Sequence, residues 1–107
     1  METHITRDYR NALKAETKLP LPEKQVLHIH TYKNSNGALV TFASVHTVEG
    51  NMLTHRCFRD YSKCMAREDV RCTEKNVRAQ HNRVLAAIDT ITADVQRHYA
   101  SEPALLG

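Results

Sequence analysis

The sequence predicts an α+β fold, a three-stranded antiparallel β-meander flanked by a short N-terminal helix and a long C-terminal helix (α-β-β-β-α). Apolar residues recur at steps of three and four over residues 73–100, which is typical of one face of a helix. Over residues 24–61 the period changes to two, which is typical of strands. A chain of 107 residues is expected to form a single domain, 1–107, with one modest core.

The N-terminal helix and its connector are assigned to residues 1–22. Apolar residues recur at helical spacing over residues 5–16, with charged residues between them. Pro20 and Pro22 then end the helix, because proline has no backbone N–H and biases the preceding residue towards an extended conformation. A helix this short is marginal alone and is expected to pack on the rest of the domain.

The β-meander is assigned to residues 24–61, with strands at 24–33, 38–47 and 52–59. Its first turn contains Asn36-Gly37, and its second contains Gly50. Asn-Gly is a strong hairpin signal because both residues tolerate positive φ.

The register of the first hairpin decides which face of the sheet is buried. A tight turn places Tyr32 opposite Thr41. The face predicted to be the core holds Leu27, Ile29, Val40, Phe42, Leu53 and Cys57, with Ser44, His46 and His55 toward one end. The other face, with His28, His30 and Tyr32, is more apolar than a solvated face requires, so we expect a contact surface for a partner there.

Residues 62–72 are predicted to form a loop or a short helix, residues 73–100 a long helix, and residues 101–107 a tail. Thr73 is expected to cap the long helix. At 1.5 Å per residue the helix is about 40 Å long, and strands of ten residues offer only about 30 Å. Its second half is therefore expected to extend beyond the sheet and to contact a partner.

The apolar stripe of this helix is nearly symmetric about Ala86, which suits an antiparallel pair of helices in a two-fold homodimer. The predicted partner-binding residues are those of the stripe and of the outer sheet face: Val84, Ile88, Ile91, Val95, Tyr99, His28, His30 and Tyr32.

The charge distribution raises a second possibility, a nucleic-acid-binding module. The formal charge is +3, and residues 56–83 carry eight Lys and Arg against four Asp and Glu. Such a segment attracts phosphates or an acidic protein surface. The candidate nucleic-acid contacts are Arg56, Arg59, Lys63, Arg67, Arg71, Lys75 and Arg78.

Histidine and cysteine raise a third possibility, a zinc-stabilised module. The candidate ligands are His55, Cys57, Cys64 and Cys72, although their spacing matches none of the usual zinc patterns. Apart from this possible zinc ion, no cofactor is expected. The alternative interpretation treats Cys57 as a small core residue.

No catalytic motif is present. The three glycines do not form a loop that leads into a helix and cradles a phosphate, and no acidic residue is placed to orient a histidine next to a thiol. The protein is therefore not expected to be an enzyme.

The absence of a long apolar run and of a secretory signal predicts a cytoplasmic protein that does not enter membranes. The leading hypothesis is a small non-enzymatic binding protein, a regulator or inhibitor that acts through protein–protein contacts. Accessory proteins of phages and plasmids are often of this kind.

Overall fold

The structure, a computed structural model, describes residues 2–49, 52–54 and 61–100. Strands come first and helices last. The elements are β1 (Thr3–Arg7), β2 (Leu13–Leu21), β3 (Gln25–Lys33), β4 (Leu39–Glu49), β5 (Met52–Thr54), β6 (Ser62–Glu68), α1 (Glu74–Leu85) and α2 (Ile88–Ala100). Strands β1 to β5 are neighbours in that order in one antiparallel sheet, and β6 pairs with β4. The predicted α-β-β-β-α order is therefore wrong.

A β-hairpin replaces the predicted N-terminal helix. β1 pairs with β2 so that Ile5 lies opposite Ala15. In β2, small or apolar residues alternate with charged ones, and this two-residue period buries Ala15 and Thr17 while Lys18 stays exposed. Pro20 lies beyond the part of β2 that β1 covers, where the strand has only β3 as a neighbour and a missing N–H is tolerated.

Asp8 builds the turn of this hairpin. Its Oδ1 accepts hydrogen bonds from the backbone N–H groups of Arg10 (2.8 Å) and Ala12 (3.0 Å). The bond from Ala12 is the largest cause of the lowered pKa of Asp8. Asn11 adopts a φ of 64°, a left-handed conformation that asparagine tolerates well. Turn chemistry thus decides the structure of a segment whose apolar spacing also suits a helix.

The first predicted hairpin is present, but its register differs by one residue. Thr31, and not Tyr32, lies opposite Thr41. The reason is the turn, in which five residues, 34–38, separate the last paired positions, Lys33 and Leu39. A shift of one residue moves every side chain of a strand to the other face. In β4 it places Thr41, Ala43 and Val45 in the core, and Val40 and Phe42 on the opposite face.

The last part of the sheet also differs from the prediction. The segment 62–72, predicted to be a loop or short helix, contains β6, whose Ala66 lies opposite Thr41. The predicted strand 52–59 overlaps β5 (Met52–Thr54), and residues 55–60 lie outside the described part of the chain. β5 and β6 lie along the same edge of β4, because they pair with its residues 47–49 and 39–44 respectively.

The predicted long helix is two helices. Thr73 caps α1 as expected, since its side chain accepts a hydrogen bond from the N–H of Asn76. The interruption lies at Ala86 and Ala87, where the N–H of Ala87 bonds to the carbonyl of Val84, three residues back, at 3.0 Å.

Both helices pack on one face of the sheet. The main core cluster contains Leu27, Ile29, Ala43, Val45, Tyr61, Val84, Ile91 and Val95, and a smaller cluster contains Ala15, Leu39 and Val77. The opposite face carries no helix of the described residues. Neither helix of the described ranges has the length and apolarity needed to cross a membrane.

Candidate functional site

The face of the sheet opposite the helices, called here the open face, carries a cluster of aromatic rings from β3 and β4. The cluster, called the ring cluster, consists of His28, His30, Tyr32, Phe42 and His46. All five side chains are half-buried. Histidine, tyrosine and phenylalanine rings grouped on an accessible face are common in binding surfaces, where aromatic residues are enriched.

The ring cluster follows from strand geometry. Alternate residues of a strand point to the same face, so His28, His30 and Tyr32 line up along β3. The observed register places Phe42 opposite His30, and the ring centroids of these residues are 6.1 Å apart. His46 joins at the other end, with its centroid 5.5 Å from that of His28.

The rings of β3 are stacked on one another. The centroids of His28 and His30 are 4.6 Å apart with an interplanar angle of 9°, and those of His30 and Tyr32 are 5.1 Å apart at 17°. Each ring therefore uses a face to contact its neighbour. His30, in the middle, uses both faces, whereas the stack uses one face of His28 and one face of Tyr32. The ring edges, with imidazole nitrogens and the phenol, point away from the stack and are available to a partner.

Glu16 of β2 connects the ring cluster to the charged part of the open face. One carboxylate oxygen is 3.0 Å from Nε2 of His28, and the other is 2.9 Å from Nζ of Lys14. Burial alone would raise the pKa of Glu16, but the hydrogen bond and charge of Lys14, followed by those of His28, lower it overall. Glu16 therefore stays ionised and already has two partners.

The two stacked histidines of the cluster, His28 and His30, are neutral at pH 7. Burial lowers the pKa of His28 despite the opposing effect of Glu16. Burial, followed by the proximity of His28, lowers the pKa of His30 to about 4. Neutral imidazoles stack without the charge repulsion that two imidazolium rings would suffer at this distance. The centre of the open face is therefore an uncharged aromatic surface at neutral pH.

A basic side chain lies on each side of this aromatic surface. Lys18 of β2 is exposed and lies opposite His28 in the sheet. Arg67 of β6 is exposed and lies opposite Val40, on the other side of the cluster. The open face thus has an aromatic centre with cations on both flanks, the usual anatomy of a protein contact surface with a polar rim.

Comparison with known proteins gives no match. No family model, no curated protein and no solved structure is similar enough to this chain to indicate a function. The geometry of the chain itself is therefore the basis for assigning a site.

The structure divides the predicted partner-binding residues into two groups. His28, His30 and Tyr32 belong to the ring cluster on the open face. The helix residues lie in or against the core: Val84, Ile91 and Val95 are buried, and Ile88 and Tyr99 pack on them. The sheet therefore covers the apolar stripe that was predicted to pair with a second copy. The stripe no longer supports a homodimer, which stays a prediction.

The predicted nucleic-acid contacts are dispersed and partly neutralised. Lys63 bonds to Asp94 at 2.8 Å, and Arg78 bonds to Glu74 at 3.3 Å. Arg83, in the same basic segment, forms an ion pair with Glu68. Among the other candidates, Arg67 lies on the open face, Arg71 and Lys75 are exposed near the start of α1, and Arg56 and Arg59 lie outside the described residues.

The structure does not assemble the predicted zinc ligands within the part of the chain that it describes. Cys64 is exposed on β6, and Cys72 lies half-buried before α1, with its thiol 3.3 Å from the carbonyl oxygen of Leu13. His55 and Cys57 fall outside the described residues. Over the described ranges, no three His, Cys, Asp or Glu side chains are grouped so that they can hold a metal ion.

Sequence reasoning missed Phe42, His46 and Glu16 as members of the open face. Phe42 and His46 were assigned to the wrong face by the one-residue register difference, and Glu16 was assigned to a helix. One signal was available for Glu16, because the segment from Leu13 to Leu19 alternates between apolar or small residues and charged ones.

Proposed function

We propose that the protein is a small non-enzymatic binding protein, a regulator or inhibitor that acts by occupying the surface of another protein. Its contact surface is the open face, centred on the ring cluster. The observation that carries this proposal is the stack of His28, His30 and Tyr32, half-buried rings on a sheet face that no described helix covers. Binding of a partner to such a surface is favourable, because it removes the remaining apolar area of the rings from water.

The orientation of the rings favours a protein partner over single-stranded nucleic acid. Proteins that bind single strands offer the flat face of an aromatic ring to each base. Here four of the six ring faces of His28, His30 and Tyr32, including both faces of His30, are already used within the stack. Ring edges with hydrogen-bonding groups are better suited to the mixed apolar and polar contacts of a protein interface.

Affinity capture with matched charge-reversal variants tests the proposal. Lys18→Glu changes an exposed lysine of the open face, and Lys75→Glu makes the same change on α1, away from that face. Tyr32→Ser removes a ring of the cluster. Each variant is used as bait in nuclease-treated extract of cells that produce the protein, after its unfolding midpoint has been shown to match that of the parent.

The expected result is a protein that the parent and Lys75→Glu retain and that Lys18→Glu and Tyr32→Ser lose. Equal retention by all four baits contradicts the proposed surface. Capture of nucleic acid in place of protein when nuclease is omitted, or capture of nothing at all, contradicts the proposed function.

A further inference from the structure

A chain of hydrogen bonds, buried except at its end on Thr3, connects α1 to four strands of the sheet. His81 of α1 has no exposed surface, and its Nε2 and Nδ1 are each 2.8 Å from a threonine hydroxyl, that of Thr17 and that of Thr31 respectively. The chain continues in both directions. Thr31 contacts Thr41 at 2.6 Å, and Thr17 contacts Thr3 at 2.7 Å.

Gln80 fixes the direction of the hydrogen bonds. Its buried amide nitrogen lies within 3.1 Å of both the carbonyl oxygen of Leu39 and the hydroxyl of Thr41, and within 3.3 Å of the carbonyl oxygen of Ala66. The opposite amide orientation would place its oxygen against two carbonyl oxygens, so the nitrogen must face them. An amide nitrogen donates and does not accept, so the proton of Thr41 cannot go to Gln80.

Within this chain of hydrogen bonds, the proton of each threonine hydroxyl then has one acceptor. Thr41 donates to Thr31, and Thr31 donates to Nδ1 of His81. His81 must therefore carry its proton on Nε2, from which it donates to Thr17, and Thr17 donates to Thr3. The reverse order would leave the hydroxyl proton of Thr41 buried without an acceptor, at a cost that exceeds the gain of a normal hydrogen bond.

We propose that this chain is an acid-sensitive lock between α1 and the sheet, closed by the Nε2–H tautomer of His81 and opened when Nδ1 takes a proton. A protonated Nδ1 donates to Thr31, which then donates to Thr41, so that the proton of Thr41 loses its acceptor. The result is a buried charge together with an unpaired buried donor, and both disfavour the packed state.

The environment of His81 supports neutrality in the folded protein. The groups that face it from β2 and β3 are the uncharged hydroxyls of Thr17 and Thr31, and Thr41 of β4 lies next in the chain. His28, on the other face of β3, is the one titratable group among the described residues that perturbs it. Burial, followed by this charge, lowers the pKa of His81 to about 4. The unfolded chain therefore binds the proton more tightly, and stability falls as the pH drops from about 6.5 towards 4.

Nitrogen-15 NMR of the whole protein tests the lock. At pH 7 the long-range proton–nitrogen spectrum is expected to show His81 protonated at Nε2 and bare at Nδ1. A proton on Nδ1, or on both nitrogens, overturns the proposal. This measurement needs no variant, so it remains decisive if substitutions of His81 fail to fold.

Hydrogen exchange tests the opening. Protection factors of α1 amides are expected to fall by about tenfold or more between pH 6.5 and 4, since each pKa unit between the closed and open states is a factor of ten. His30→Gln, which removes the other strongly shifted histidine, is expected to keep this fall. Unchanged protection while His81 titrates overturns the proposal.

Two substitutions of Thr31 separate the hydrogen bond from packing. Thr31→Ser keeps the hydroxyl and is expected to keep the Nε2–H tautomer. Thr31→Val removes both the donor to Nδ1 and the acceptor for the proton of Thr41, and is expected to lower the protection factors of α1 amides at pH 6.5, whereas Thr31→Ser keeps them. Equal protection in both variants overturns the assignment of the donor.

Discussion

At the scale of single residues, Asp94 of α2 accepts hydrogen bonds from three side chains. Its Oδ2 accepts hydrogen bonds from the phenol of Tyr61 and from Lys63, both at 2.8 Å, and its Oδ1 is 3.2 Å from Arg97. The bond from Lys63, followed by that from Tyr61, lowers the pKa of Asp94 to about 2. Burial and then the bond to Asp94 raise the pKa of Tyr61. Asp94 therefore connects α2 to β6 and to the segment that precedes it.

Asp94→Asn is expected to lower the thermal unfolding midpoint at pH 7, because the neutral amide loses the charge-assisted bonds from Tyr61 and Lys63. The carboxylate has a lower pKa in the folded than in the unfolded chain. Its stabilisation is therefore present above about pH 4 and is lost as the pH falls towards 2. Thermal scans from pH 7 to 2 should show the difference from the parent shrinking with acid.

The control for this prediction is Asp69→Asn, which changes an exposed aspartate that makes no described ion pair. It is expected to leave the midpoint within experimental error of the parent. An Asp94→Asn midpoint equal to that of the parent at pH 7 would contradict the role assigned to Asp94.

The sequence predicts which residues share one face of a strand more reliably than which residues lie beside them on the next strand. The period of two placed His28, His30 and Tyr32 together on one face, and the structure stacks them there. Their partners on β4 depended on whether the turn uses an even or odd number of residues. That parity follows from backbone hydrogen bonds such as that from the N–H of Asn34 to the carbonyl of Ala38, which local propensity does not determine.

At the scale of elements, the turn between β3 and β4 depends on Gly37. Its φ is +84°, and a Cβ added there would meet no atom within 4 Å. Gly37→Ala should therefore cost only backbone strain, about 1 kcal/mol. Gly37→Asn should cost less, because asparagine is the residue that best tolerates the left-handed region after glycine. Urea unfolding of the two variants measures the difference.

A larger loss for Gly37→Asn than for Gly37→Ala would contradict a purely conformational role for this glycine. Such an order would mean that side-chain size near the turn is the dominant cost, contrary to the open space around the position.

The N-terminal hairpin and the helix break show two ways in which element prediction failed. Residues 5–16 contain apolar spacings of both three to four and two, and the turn centred on Asp8 selects the strand interpretation. The break at Ala86 and Ala87 has no local signal, since alanine is the best helix former. The sheet explains the break, because residues before it and after it both pack on the same core cluster.

At the scale of the whole molecule, the apolar stripe of the helices could belong either to an interface between two copies or to the core of one chain. If it were an interface between copies, truncating it would weaken association and leave the isolated chain stable. The structure instead buries Val95 to 3% exposure against the core of the same chain. The half-buried aromatic rings that the structure groups together lie on the open face, so an interface of substantial apolar area is expected there.

Val95→Ala is therefore expected to destabilise the chain by about 2 to 3 kcal/mol, through lost burial and a residual cavity. Val70→Ala removes the same atoms from a residue that is 39% exposed, and it should cost less than about 0.5 kcal/mol. Urea unfolding at two protein concentrations about a hundredfold apart distinguishes the accounts, because mass action makes an interface term depend on concentration. The same loss for Val95→Ala at both concentrations is the expected result, whereas a loss confined to the higher concentration would return the stripe to an interface between copies.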